Sequence, residues 1–329
     1  MGIGGLSRNG RRLLLVSAFL SLAAGPPIGG MVRAAGTADA YIAAAAATAG
    51  TDYTGILTLC EPGPPWALPN PAVNGAGPAK VFDNLYFVGL PSVSAWALTT
   101  SRGIILIDAL NTPEEAETYI EGDLRKLKLD PADIEYIVVT HAHGDHFGGA
   151  RYLANKYGAT LVMSNREWET LAGQRAVAGR ANGPVPRRSR GVDEGDTLTL
   201  GDTSVEFALT PPHTPGTLSL ILPLKDGEMR HTGALWGGTA FNFPATEENF
   251  SAYVESARRF SRLARDRDAD VPLSNHPVYD EALAKIAALK KRGTGGSHPF
   301  VLGTGSAETY LAVAAECAMA ARERVRAAK

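Results

Sequence analysis

Thr140-His141-Ala142-His143-Gly144-Asp145-His146 places three of the chain's seven histidines, with one aspartate, directly after the apolar run Ile137-Val138-Val139. A β-branched run of this kind predicts a buried strand. The ligand-rich segment then begins where the strand ends, on a loop that can turn its side chains toward one point. Imidazole suits zinc and its borderline neighbours, and a carboxylate adds a hard anionic ligand. His141 and His143 alternate along an extended backbone and can point to one side. Gly144 has no Cβ and lets the chain turn before Asp145 and His146. The two halves can therefore face two metals about 3.5–4 Å apart, as two-metal hydrolases require.

Two downstream stretches complete a ligand set. Thr210-Pro211-Pro212-His213-Thr214-Pro215-Gly216 sets a histidine in a proline-bracketed turn after an expected strand, Val205 to Leu209. Prolines pre-set φ, so a ligand held this way loses little entropy on binding. Leu273-Ser274-Asn275-His276-Pro277 presents a second such histidine. Together these give six ligands in two sets of three: His141, His143 and His213, then Asp145, His146 and His276. No Gly-x-Ser-x-Gly elbow offers a serine nucleophile.

The frame fits one large α/β domain. The chain has 329 residues, 45% of them hydrophobic, enough for a layered core. A net charge of −2 implies no global pull toward nucleic acid. The one basic cluster, Arg187-Arg188-Ser189-Arg190, reads as a solvated loop or as a steering patch for an anionic substrate. Arg8, Arg11 and Arg12 precede an apolar run from Leu13 to Ala24, the pattern of an export signal over residues 1–35, twin-arginine in flavour. That run is too short to span a bilayer, so no stable membrane insertion is expected once the signal is removed. Cys60 and Cys317 are compatible with one disulfide in an oxidising compartment; neither has metal-site spacing.

Outside the ligand loops, strands alternate with helices. An Ala-rich helix, Ala38 to Ala49, and a Pro-rich connector make an N-terminal extension over residues 36–78. Short strands are expected at Val81-Phe82, Leu85 to Val88, Ala95 to Leu98, Ile104 to Ile107, Ile134 to Val139 and Thr160 to Met163. Four more are expected at Thr197 to Leu200, Val205 to Leu209, Leu218 to Leu222 and Met229 to Thr232. Helices are expected at Pro113 to Lys128, capped by Thr112, and at Arg151 to Tyr157, Glu167 to Ala172, Glu248 to Arg265, Asp280 to Lys291 and Ala307 to Arg326. Strands followed by helices, twice over, predict two sheets face to face with helices outside. The catalytic domain would cover residues 79–292, with a C-terminal helical extension over 293–329 packed on it.

With His141-Ala142-His143-Gly144-Asp145-His146, then His213 before Thr214-Pro215-Gly216, then His276, the chain resembles the metallo-β-lactamase superfamily. Asn84-Leu85-Tyr86-Phe87-Val88-Gly89 and Ile105-Leu106-Ile107-Asp108 are similar to the family's opening strands. The resemblance implies an αββα sandwich with two zinc ions on its rim, His141, His143 and His213 holding one and Asp145, His146 and His276 the second. It also implies a metal-bound hydroxide attacking a carbonyl, Asp145 orienting it and passing a proton. Asp108 would support a ligand histidine or merely shape a turn.

Many hydrolases of the superfamily carry a bridging aspartate in a Thr-Gly-Asp segment; here the stretch reads Thr232-Gly233-Ala234. That departure points to the third subclass of metallo-β-lactamases, and away from glyoxalase II-like thioesterases, persulfide dioxygenases, ribonuclease Z-like nucleases and typical lactonases. Leu235-Trp236-Gly237-Gly238-Thr239-Ala240-Phe241-Asn242-Phe243 falls where substrate contacts are expected. Trp236, Phe241 and Phe243 could wall a pocket, and Asn242 could donate to an oxyanion or approach the second metal; alternatively the aromatics are core and Asn242 caps the helix region at Glu247 or a turn. The expectation is a periplasmic or secreted zinc hydrolase of a small molecule, β-lactamase-like, with no nucleic-acid partner. Alternatives are a lactone, an organophosphate-type ester or a haloalkyl substrate, and, less favoured, an iron-dependent oxidoreductase or a non-catalytic metal binder. Oligomeric state is left open.

Overall fold

In the computed structural model, residues 1–2, 36–61, 77–175, 184–293 and 295–329 are described. The expected signal segment and most of the Pro-rich connector lie outside them. Thr37 caps α1 (Ala38–Ala49) by accepting the Ala40 N–H, and the short α2 (Thr54–Leu57) follows. The first sheet then opens as an antiparallel meander: β1 (Ala79–Lys80), β2 (Leu85–Phe87), β3 (Trp96–Thr100) and β4 (Gly103–Ile107).

From β4 the sheet continues in parallel through β5 (Ile134–Val138), β6 (Thr160–Ser164) and β7 (Arg190–Val192). Parallel neighbours need crossovers, usually helical. Here α3 (Pro113–Glu115) and α4 (Gly122–Lys126) lead from β4 to β5. Then α5 (Gly144–Phe147) and α6 (Ala150–Tyr157) lead to β6, and α7 (Asn165–Arg175) leaves it. Thr112 caps α3 as expected, accepting the Glu115 N–H. Between α3 and α4 the expected single helix widens into a π-turn over Ala116–Glu121.

The second sheet repeats the plan. β8 (Thr197–Leu200), β9 (Thr203–Leu209), β10 (Leu218–Asp226) and β11 (Met229–Trp236) pair antiparallel. The long α8 (Glu247–Asp266), capped by Thr246, crosses to β12 (Val271–Ser274), which joins β11 in parallel. α9 (Pro277–Asp280), α10 (Ala282–Leu289) and α11 (Ser306–Ala327) follow. The expected Asp280 to Lys291 helix breaks at Glu281, whose φ of 56° is left-handed.

Side-chain alternation sorts three cores. In β4, Ile105 and Ile107 face the other sheet, while Ile104 and Leu106 face the helices. The inner core joins these to Val138, Val162, Phe207, Leu220, Leu235 and Leu273. One outer core lies under α4, α6 and α7; the other packs β11 against α1, α8 and α11. The result is an αββα sandwich of two mixed sheets.

Several strand expectations change: β10 runs on to Asp226 and β11 to Trp236. The first strand is Ala79–Lys80 rather than Val81-Phe82, and β7 and β12 were not foreseen. Both are edge strands, where Gly191 and Pro272 are tolerated but hide the strand pattern. The two cysteines form a disulfide, Cα to Cα 4.5 Å, that ties the turn after α2 to α11. Among the described residues, no helix is long and apolar enough to cross a membrane.

Candidate metal centre

Four strand ends meet on one rim of the sandwich. β4 ends at Ile107 and delivers Asp108, whose φ of 61° is rare outside glycine. β5 delivers His141 and His143, and α5 then carries Asp145 and His146. β9 runs into Pro211-Pro212 and His213, and β12 into Asn275 and His276. The structure brings all six expected ligands into the two expected sets, each with its donor atoms within 4.8 Å of one another.

In the first set, His141 Nε2 lies 3.1 Å from His143 Nδ1 and 3.0 Å from His213 Nε2. Tetrahedral zinc at about 2.0–2.1 Å from each nitrogen would space its ligands by roughly 3.3 Å, close to these values. In the second, Asp145 Oδ2 lies 3.3 Å from His146 Nε2 and 3.7 Å from His276 Nε2. The His141 and His146 rings are 4.1 Å apart, so the sets adjoin. His146 Nε2 is buried without a hydrogen-bond partner, as a ligand nitrogen aimed at an ion would be. A nitrogen-rich set beside a carboxylate-containing one suits zinc or a similar divalent cation.

The outer nitrogens are held. His146 Nδ1 donates to Asp108 Oδ2 at 2.8 Å. The Thr140 hydroxyl donates to the same oxygen at 2.9 Å and stands 3.1 Å from His141 Nδ1, which can donate to it. Asp108 thus reaches one histidine of each set, directly or through Thr140. His213 Nδ1 donates to the Ala240 carbonyl and His276 Nδ1 to the Ser92 carbonyl. These contacts keep the outer nitrogens as donors, which turns the inner nitrogen of each ring toward the ligand set.

Electrostatics follow from burial and crowding. Burial, then the neighbouring imidazoles, push His141 and His213 far below the usual histidine range. The same causes take His143 down to about 4, and His276 is also lowered, by burial first. Burial opposes charge on His146 too, but Asp145 and Asp108 overcome it and raise His146 to about 10. For Asp145, burial is outweighed by His146 and its neighbours, so its carboxyl is held well below the carboxylate range.

One organising residue escaped the sequence reading. Glu167 accepts the Ala142 N–H, the Thr214 hydroxyl and the Gly216 N–H, so it touches the loops of His141, His143 and His213. Ser164-x-x-Glu167 has the form of a capping box, and Ser164 Oγ does accept the Glu167 N–H. The carboxylate leaves the box to bridge the two loops.

The substrate candidates fare differently from the ligands. Trp236 is fully buried, its Nε1 donating to Tyr253 Oη against α8, and it belongs to the outer core. Asn242 is exposed, and Thr246 rather than Asn242 caps α8. Phe241 and Phe243 pack half-buried against Phe250 and Tyr253. Ala234 also faces that outer core, so it does not occupy the place of a bridging carboxylate. The backbone after β11 approaches the ligands instead at Gly237 and Gly238. A Cβ on Gly238 would lie 2.6 Å from His213 Cβ. No acidic side chain from this stretch joins either ligand set.

Residues 88–227 match the model of the metallo-beta-lactamase superfamily. A subclass B3 metallo-beta-lactamase of Bradyrhizobium japonicum superposes with a TM-score of 0.59 at 30% identity, over 71% of this chain and 89% of that one. A metallo-beta-lactamase from Cronobacter sakazakii gives a TM-score of 0.58 at 25% identity, over 77% of this chain and 95% of that one. An N-acyl homoserine lactonase of a Bacillus species is 28% identical over 195 residues, 52% of this chain and 72% of the lactonase. An exodeoxyribonuclease of Streptococcus pneumoniae is 29% identical over 35% of this chain, which spans only 40% of that relative's length.

Proposed function

The chain belongs to the metallo-beta-lactamase superfamily, and on that premise we propose that it is an exported, zinc-dependent hydrolase that opens a cyclic amide such as a β-lactam. The observation that carries this reading is the pair of adjoining three-donor sets with no acidic side chain from the end of β11 in either. His141, His143 and His213 would hold one ion, and Asp145, His146 and His276 the other. Zinc there supplies Lewis acidity toward a carbonyl oxygen and a water ionisable near pH 7 instead of 15.7.

The chain's own groups supply the rest. Asp145, with its side chain about a third exposed, would orient the attacking water and receive its proton. It can then return that proton to the nitrogen released when the carbon–nitrogen bond breaks. Asp108 and Thr140 keep the ligand tautomers fixed through this cycle. The Cys60–Cys317 bond supports an oxidising, periplasmic or extracellular setting, in line with the charged-then-apolar N-terminal sequence.

A lactone is the second substrate class. The Bacillus lactonase's similarity over 72% of its length favours it; the lack of an acidic side chain from the end of β11 in either ligand set weighs against it. Nitrocefin hydrolysis by the zinc-loaded mature chain, with and without chelator, tests the proposal. Chelator-sensitive turnover is expected. Its absence, with turnover of a lactone panel instead, would replace the cyclic amide by the lactone. One dominant iron equivalent with oxygen consumption would overturn the hydrolase reading.

A further inference from the structure

Glu167 has none of its surface exposed, and no cation pairs with its carboxylate among the described residues. Three donors fill it. Oε2 takes the Ala142 N–H at 2.7 Å; Oε1 takes the Thr214 hydroxyl at 2.7 Å and the Gly216 N–H at 2.5 Å. Ala142 stands between His141 and His143, and Thr214 follows His213. Every ligand of the first set is therefore next in sequence to a residue that this one carboxylate grips. Ser164 Oγ donates to the Gly216 carbonyl at 2.6 Å, so the start of α7 holds Gly216 by both its N–H and its C=O.

Burying a carboxylate without a counter-cation is costly, and burial indeed pushes the Glu167 pKa up against the pull of its three donors. An apolar residue of similar volume would pack there at lower cost, but could not bind two loops at once. The second set is held by other means: Asp108 on His146 and the Ser92 carbonyl on His276.

We propose that Glu167 is a positioning residue for the first metal set, fixing the distance between the His141–His143 turn and the His213 turn. The inference rests on the metal-centre reading above. It requires a selective effect: loosening this clamp weakens one ion and spares the other, which a general loss of stability would not do.

The test uses the full mature chain with zinc, titrated against a chromophoric chelator, and cobalt absorption spectra of the same proteins. Glu167→Gln keeps the shape but replaces one acceptor oxygen by a donor. The equivalent held by His141, His143 and His213 should lose roughly 10–100-fold in affinity, the scale set by other residues that orient metal ligands, while the other stays within about twofold. The cobalt band of the weakened equivalent should change with it. Thr214→Val, which removes one donor and leaves the carboxylate, should move the same constant less. It decides the matter by the same criteria if Glu167→Gln does not fold. Folded variants with both constants unchanged, or with both weakened alike, overturn the clamp. A wild-type chain that binds no zinc overturns the metal centre, and the clamp with it.

Discussion

Asp108 Oδ2 accepts the His146 Nδ1–H at 2.8 Å and the Thr140 hydroxyl at 2.9 Å, so one buried oxygen steers a histidine in each ligand set. Asp108 adopts a left-handed φ of 61° to do so. Such strain is kept where the surroundings fix it, often at functional sites. In Asp108→Asn an amide replaces one of the two accepting oxygens, and His146 can no longer rely on a negative acceptor. Zinc affinity and turnover should fall about 10–100-fold with an unchanged circular dichroism spectrum. Equilibrium dialysis followed by metal analysis checks it; full zinc occupancy at wild-type affinity would contradict the role.

The ligands were legible because their information is local. His141 to His146 carry type, spacing and strand context in one segment, and His213 announces itself by its prolines. His276 was readable only in company, since Pro272 hides the strand before it. Trp236 stayed open between pocket wall and core for a geometric reason. β11 runs to Trp236 rather than stopping at Thr232, and period-two alternation then sends Ala234 and Trp236 to the helix layer. Glu167 was hidden twice over. Its Ser164-x-x-Glu167 pattern has the form of an ordinary helix cap, and its partners lie 25, 47 and 49 residues away, a distance no motif spans. The disulfide pairs residues 257 apart, which spacing alone could not decide.

Gly238 should be intolerant of any side chain, with a functional signature. A Cβ there would meet His213 Cβ at 2.6 Å and Thr217 Cγ2 at 2.8 Å. Both are atoms of the first ligand loop, so Gly238→Ala should push His213 outward while the sheets stay intact. A displacement near 1 Å at reacting groups can cost roughly 100-fold in rate. Turnover should drop on that scale and one zinc equivalent should weaken, with little change in thermal stability. Gly237→Ala serves as contrast: its Cβ would sit 1.8 Å from the Leu218 carbonyl oxygen, so it should lose folded yield as well. Equal activity of Gly238→Ala and wild type would refute the packing argument.

Removing the disulfide should lower stability without touching the centre. The bond closes a loop of 257 residues between the turn after α2 and α11, and native disulfides of small secreted domains contribute about 2–5 kcal/mol. Cys60→Ser with Cys317→Ser should lower Tm by roughly 5–15 °C and leave zinc stoichiometry as it was. Cys317 is fully buried and Cys60 nearly so. The native protein should therefore resist mild reductant until it is warmed toward its melting point. A double variant with an unchanged Tm would show that the bond is dispensable.

Asp280 should make stability fall with rising pH. Its carboxylate accepts the Ser274 N–H at 2.8 Å and the Ala282 N–H at 3.0 Å, yet burial outweighs these contacts and raises its pKa to about 6. The unfolded value is near 3.9, so between about pH 4 and pH 6 the folded chain binds the extra proton and the unfolded chain does not. The favourable contribution is fully present below the unfolded pKa and is lost as pH climbs through the folded one. By pH 7.5 the charged carboxylate should cost roughly 2–3 kcal/mol, at 1.36 kcal/mol per pKa unit. Asp280→Asn cannot ionise, though it satisfies only one of the two N–H groups and so starts from a constant penalty. Denaturant melts of both metal-free proteins from pH 4 to pH 7.5 isolate the term, because titrating groups not coupled to Asp280 cancel in the difference; Lys285 and Tyr310, which are coupled to it, do not. The variant should gain on wild type by about 2–3 kcal/mol across that range. A flat difference would place the Asp280 pKa at its ordinary value.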